Sequence, residues 1–359
     1  MTRFSAHHLV TFLLLFPLAL FSLAHAENTP QPNENLNHAP SIDLISLSGQ
    51  IESLIRKYHY NPSELEGEGY KLQVDKVEQI AANSVSTDDF MHAFNESWQN
   101  GPFSHVRMAQ GQQTADELAT FLDVMNVGGN GVQLEFNEDV ATLTVNTMMG
   151  QDTIEQIFAA YRQIQEHQSK FLIIDLRKNN GGAFAVRPLV GHLIDSPTEG
   201  GFFVSQKWFD SQDTPPSIKD VAGTTPWDGW SIKSFWQDVQ DQGLMRMQYQ
   251  PLTPYFDGRV FVLVSGQTFS AAEIAASALK GLPNVTLIGE RTAGEVLSQK
   301  VYDLAPGYQL FLPIADYYSA QNVRIEGMGV PADIKTSAEI AMKTALGIID
   351  ELNASERQH

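Results

Sequence analysis

The stretch "SGQTFSAAEIAASAL", residues 265–279, sets a serine between the end of an apolar run and the start of an alanine-rich helix. A helix N-terminus offers free backbone N–H groups and partial positive charge. Ser270 can use them in two ways. Ser270-Ala271-Ala272-Glu273 fits a reciprocal capping box, in which the serine and the glutamate satisfy those N–H groups. The same hydroxyl can instead be a nucleophile, with the Ala271 N–H aimed at an oxyanion formed on it. Two more stretches hold candidate chemistry. "DLRKNNGG", Asp175 to Gly182, closes the apolar run "FLII", and paired glycines after a buried strand let backbone N–H groups face a cleft. In "RIEGMGVPADI", Glu326 precedes two glycines and a proline, a turn stiff enough to hold a carboxylate against an imidazole.

Other chemistries are missing from the sequence. It has no P-loop, no H-E-x-x-H and no G-x-S-x-G elbow. The ten histidines are scattered without metal-ligand spacing, and with no cysteine there is neither a thiol nucleophile nor a disulfide. No metal or organic cofactor is implied. Lys plus Arg number 23 against 42 Asp plus Glu, a net charge of −19 that disfavours nucleic acid and anionic membrane surfaces as partners.

The elements that must position these residues alternate. "VQLEFNEDVATLTV" reads as a hairpin turning at Asn137-Glu138-Asp139, "TIEQIFAAYRQIQEHQ" as an amphipathic helix, and "KFLIIDLR" and "GRVFVLVS" as buried strands. With the helix after Ser270 and the strand "VTLIGE", this predicts an α/β domain over 126–353, which also holds the candidate catalytic residues Ser270 and Glu326. Ahead of it, apolar residues at three- and four-residue spacings predict a helical domain over 44–125. Residues 205–257 read as a long irregular insert holding Trp208, Trp227, Trp230 and Trp236, either a cleft wall or an elaboration packed on its own rings. Residues 1–26 read as a cleaved export signal, with Arg3, an apolar stretch and "AHA" at the end. No cysteine near that point offers a lipid anchor, so an exported, periplasmic or extracellular chain is expected. The polar, proline-bearing stretch 27–43 reads as a disordered leader.

Taken in series, "DLRKNNGG", "LVSGQTFSAAEIAASAL", "IGERTAGE" and "RIEGMGVPADI" resemble the tail-specific, C-terminal-processing serine peptidase family, over roughly residues 95–335. That superfamily includes the tricorn core and the interphotoreceptor retinoid-binding protein modules. The resemblance implies a ClpP/crotonase-like β-α superhelix core and a peptide or protein substrate. It makes Ser270 the nucleophile and the N–H groups of Ala271, Gly181 and Gly182 the oxyanion hole. One branch of the family uses a Ser-Lys dyad, but Glu295 stands in "TAGEV" where that lysine would be, and no segment of PDZ size and pattern precedes the core. The tricorn-like branch pairs an upstream histidine with a glutamate. "NGPFSHVRM" then nominates His105 as general base, and Glu326 as its orienting carboxylate. Trp227 and Trp230 are candidate substrate-binding rings. Because the family also includes ligand carriers, the alternative is a non-catalytic module binding peptides or hydrophobic ligands.

Overall fold

The computed structural model describes residues 42–357, so the expected export signal and nearly all of the expected leader lie outside the described residues. The chain begins with three helices, α1 (Leu44–Tyr58), α2 (Glu68–Asn83) and α3 (Thr87–Trp98). Asp43 and Ser86 cap the first and third with their side chains. Strand β1 (Arg107–Gln110) and helix α4 (Ala115–Val124) follow, the latter opened by a full capping box between Thr114 and Glu117. The hairpin of β2 (Val132–Asn137) and β3 (Val140–Val145) turns where expected, with Glu138 in the left-handed region at φ 51°.

Helix α5 (Gln151–His167), strand β4 (Phe171–Asp175) and helix α6 (Val186–Gly191) come next, then β5 (Thr198–Ser205). About half of the stretch expected to be irregular lies in regular elements. It holds α7 (Gln206–Phe209), α8 (Ile218–Ala222), α9 (Ile232–Gln242) and β6 (Leu244–Tyr249). The physical reason is local: Ser231 caps α9, whose Trp236 and Val239 are buried, and β6 pairs antiparallel with β5. The rest comprises β7 (Arg259–Val264), α10 (Ala271–Lys280), β8 (Val285–Gly289), β9 (Ser298–Asp303), β10 (Tyr308–Tyr318), β11 (Ile334–Lys335) and α11 (Ala338–Glu356).

Two sheets organise these elements. The six-stranded sheet runs β11-β8-β7-β4-β3-β2, parallel except for the β2–β3 hairpin. Its central strands are buried on both faces, as continuous apolar runs such as Phe171 to Ile174 require. The second sheet is antiparallel, ordered β1-β10-β5-β6 with β9 also on β10. Helices α1 to α3 bury Leu47, Ile51, Phe90 and Phe94 against Leu310 and Leu312 of β10, so residues 44–125 share a core and a strand pairing with the later chain. The described residues belong to one compact unit. None of their helices is long and apolar enough to cross a membrane.

Candidate active site

Ser270 lies six residues past the carboxyl end of β7, as the residue from which α10 starts. Its φ of 52° and ψ of −123° are unfavourable for a side-chain-bearing residue, and such strain persists only where surrounding bonds over-determine it. Those bonds are present. The Ser270 N–H donates to the Glu295 carbonyl at 3.0 Å and to Glu273 Oε2 at 3.1 Å. Glu273 is fully buried and also accepts from the Thr292 hydroxyl at 2.5 Å and from the N–H groups of Gly294 and Glu295. Burial pushes its carboxyl above the ordinary range, against the pull of those hydrogen bonds. The capping glutamate therefore pins the loop 292–295 beneath the serine. The Ser270 hydroxyl faces the Glu273 N–H in a capping-box arrangement but makes no cap hydrogen bond with it, because that N–H goes to the Ser270 carbonyl at 2.8 Å.

The glycine turn sits directly beside it. A β-carbon added at Gly181 would lie 2.6 Å from Ser270 Cβ and 3.3 Å from the Ala271 nitrogen, and Gly181 has φ 89°, so the turn needs glycine twice over. Asn179 holds this turn. Fully buried, it donates to the Val145 carbonyl and accepts the Gly181 N–H on Oδ1, both at 2.9 Å, while its own carbonyl accepts from Phe269. One expected donor is thereby corrected: the Gly181 N–H is committed to Asn179 and is not free for an oxyanion. The N–H groups of Gly182 and Ala271 have no partner among the described residues.

His105 and Glu326 arrive from loops, and a residue without an assigned role joins them. The Ser104 hydroxyl donates to Glu326 Oε1 at 2.9 Å and lies 2.6 Å from His105 Nδ1. A serine hydroxyl has one proton. If Glu326 receives it, the contact to Nδ1 requires that nitrogen to carry hydrogen, which leaves Nε2 as a free lone pair. Glu326 is nearly buried, and its Oε2 accepts from the N–H groups of Val296 at 2.8 Å and Leu297 at 3.3 Å. Gln299 Nε2 donates to the His105 carbonyl at 2.6 Å, fixing a residue whose φ is 67°. Burial holds the His105 imidazole below its ordinary value, and the nearby Glu326 charge opposes that shift. Just ahead, Phe103 is buried among Trp98, Tyr70 and His59, with ring centroids as close as 4.0 Å, and anchors the segment in the helical core.

Ser270, Glu326 and His105 are thus all bonded to the single stretch Glu295–Gln299. Glu295 itself is half-buried; burial first, then the charges of Glu326 and Glu273, push its carboxyl up. The two tryptophans divide. Trp227 is buried and donates to Asp238 Oδ2 at 2.8 Å, whereas Trp230 is 47% exposed.

Ser104 lies inside the quoted "NGPFSHVRM", and Asn179 inside "DLRKNNGG", yet neither was singled out from the sequence. The only signal available was their place beside nominated residues. Among the described residues no group of His, Asp and Glu is arranged to hold a metal ion.

A strained serine at a strand-to-helix turn thus lies beside a glycine turn that follows the neighbouring parallel strand. The description of Peptidase family S41 matches residues 139–336, and the chain belongs to that family. Carboxyl-terminal-processing peptidase 3 of Arabidopsis thaliana, a chloroplastic protein, is 24% identical over 58% of this chain and 34% of its own length. The chloroplastic C-terminal processing peptidase of Tetradesmus obliquus is 29% identical over 50% of this chain and 32% of its own. The match spans about a third of these relatives. The solved photosystem II D1 C-terminal processing protease superposes with a TM-score of 0.52 at 14% identity, covering 83% of this chain and 94% of that one. The mixed α/β fold is that of the family's peptidases.

Proposed function

We propose that the protein is a serine peptidase acting on peptides or partly unfolded proteins in an exported compartment, with Ser270 as nucleophile and His105 as base. The observation that carries this reading is the bonded path His105 Nδ1–Ser104–Glu326, held on the same stretch that receives the Ser270 N–H. In it, His105 Nε2 takes the hydroxyl proton as Ser270 Oγ adds to the scissile carbonyl carbon. Glu326 acts through Ser104 to fix the tautomer and to stabilise the imidazolium. Charge developing on the carbonyl oxygen meets the N–H groups of Gly182 and Ala271, the second at the positive end of α10. Collapse breaks the C–N bond, the amine leaves with the imidazolium proton, and water then enters by the same base to release the acyl group. A Ser270 hydroxyl that makes no cap hydrogen bond, the lowered His105 pKa and the two unpartnered N–H groups all support this assignment.

The test is hydrolysis of an unfolded protein such as reduced casein by the wild type and by Ser270→Ala. Hydrolysis lost in the variant, with Tm within about 2 °C because no cap hydrogen bond of the hydroxyl is removed, is the expected result. Hydrolysis at the wild-type rate by the alanine variant would remove Ser270 from the reaction. A wild type that binds peptides but cleaves none would favour the binding-module alternative.

A further inference from the structure

A guanidinium near the candidate site has no carboxylate within 4.0 Å among the described residues, although the Asp228 charge acts on it from farther away. Arg187 stands in the first turn of α6, the helix that directly follows the Gly181–Gly182 turn. Its N–H donates to the Phe184 carbonyl at 3.0 Å, so Phe184 and Arg187 occupy one turn of chain. The guanidinium carbon sits 5.2 Å from the Trp227 ring centroid and 4.8 Å from that of Trp230, and the Phe184 ring is 6.1 Å from both. Two of its N–H groups reach carbonyls, those of Asp228 at 3.1 Å and Trp227 at 3.3 Å. Five donors are present on the fork, and among the described residues no carboxylate lies within 4.0 Å of it.

Arg187 shares this with Arg107, which stacks over the Phe311 ring, and with Arg291, which donates to the carbonyls of Met328 and Gly329. Arg56, Arg177, Arg246 and Arg324 each face a carboxylate, at 2.5–2.8 Å. Arg187 is half-buried, and the hydration it loses is offset only in part by the ring contacts and the more distant Asp228 charge. A planar fork with spare donors is suited to bidentate capture of a carboxylate, and the neighbouring Trp230 face is open to solvent. The reach is also right. Arg187 is five positions past Gly182, so their Cα atoms lie at most ~17 Å apart, within the span of a short extended peptide whose carbonyl sits at the glycine turn.

We infer that Arg187, seated against Trp227 and Trp230, is a specificity-determining residue that binds a carboxylate of the polypeptide occupying the site. This deepens the peptidase reading and rests on it for placing a polypeptide beside Gly182. The carboxylate has two sources, an acidic side chain or the chain's free C-terminus. Arg187 also clamps the loop 227–230, and a purely structural role would affect every peptide equally.

The experiment measures peptide affinity by calorimetry on the full chain carrying Ser270→Ala, so that binding is read without turnover. The probes are alanine-rich hexapeptides with one phenylalanine. They are paired as Glu against Gln at each position, and as free acid against carboxamide at the C-terminus. Tighter binding of one acid member by about tenfold or more is expected, and the pair that shows it identifies the source. Adding Arg187→Met should abolish that difference and leave the neutral peptide unchanged. Arg187→Lys, which keeps the charge and guards against collapse of the loop, should retain part of it. Equal affinities for both members of every pair, equal loss of both in the two variants, or no binding of any peptide would each overturn the inference. Arg187-dependent binding by a protein that hydrolyses nothing would overturn the peptidase reading and leave the carboxylate subsite standing.

Discussion

In the proposed site, the nucleophile side and the base side are built by different means. Ser270 and the glycine turn follow β7 and β4, adjacent parallel strands whose pairing is continuous from Phe171–Arg259 to Asp175–Leu263. Backbone bonds such as Phe269 N–H to Asn179 carbonyl then tie the two turns together. His105 and Glu326 instead lie on loops, and the hydroxyl that links them bridges 222 residues of sequence. A few side-chain contacts hold that second half. The nucleophile side should therefore tolerate changes on the base side, while the base side depends on single hydrogen bonds.

The largest effect that separates the halves is expected at His105. His105→Ala should lower kcat by roughly 10²–10⁴-fold with little change in KM, as loss of a general base does. In the wild type, kcat/KM should fall as pH drops through the His105 titration. Neutral imidazole accepts the serine proton and imidazolium does not. Because burial lowers this pKa, the acid limb should lie below about 6.5. A limb centred above 7, or none, would detach His105 from the reaction.

On the opposite side, Gly181→Ala should cost roughly 10²-fold in kcat, since the new β-carbon meets Ser270 Cβ and must adopt a positive φ. Steady-state kinetics with circular dichroism would check it: a folded variant with wild-type kcat contradicts the crowding around the nucleophile. Ser104→Ala should be milder, about tenfold in kcat, from loss of one charge-assisted hydrogen bond. It should also shift the acid limb further down, because the imidazolium loses its route to Glu326. An unchanged limb would mean that Ser104 only supports the loop. Glu295→Gln should be the smallest, within about threefold at pH 7, since no bond of its carboxylate holds any of the three groups together. A hundredfold loss would make Glu295 the base.

The sequence exposes these halves unequally. Ser270 could be read because a strand, a short loop and a capped helix are all local patterns. The capping reading and the nucleophile reading turn out to be compatible: Glu273 takes the Ser270 N–H while the hydroxyl makes no cap hydrogen bond. Glu326 came from a dense glycine–proline block, and His105 from a looser one. Ser104 and Asn179 escaped because their meaning depends on Glu326 and Gly181, contacts that folding creates. The parallel sheet was visible as apolar runs. The antiparallel sheet was not, because β5 carries Gly200 and Gly201, β10 is interrupted by Pro313 and Asp316, and β1 spans only Arg107–Gln110. The order within 205–257 was hidden by its prolines and tryptophans, although "IKSFWQDVQDQ" behind Ser231 carries a helix pattern.

The most direct measurement is the rate and site of covalent labelling by a fluorophosphonate, followed by peptide mapping, in the wild type, His105→Ala and Ser270→Ala. The label forms a bond to an activated serine oxygen and needs no knowledge of the substrate. Modification is expected at Ser270 in the wild type, at least about a hundredfold slower in His105→Ala, and none in Ser270→Ala. Labelling of another residue, or a His105→Ala protein that labels Ser270 at the wild-type rate, would contradict the roles proposed for these two residues.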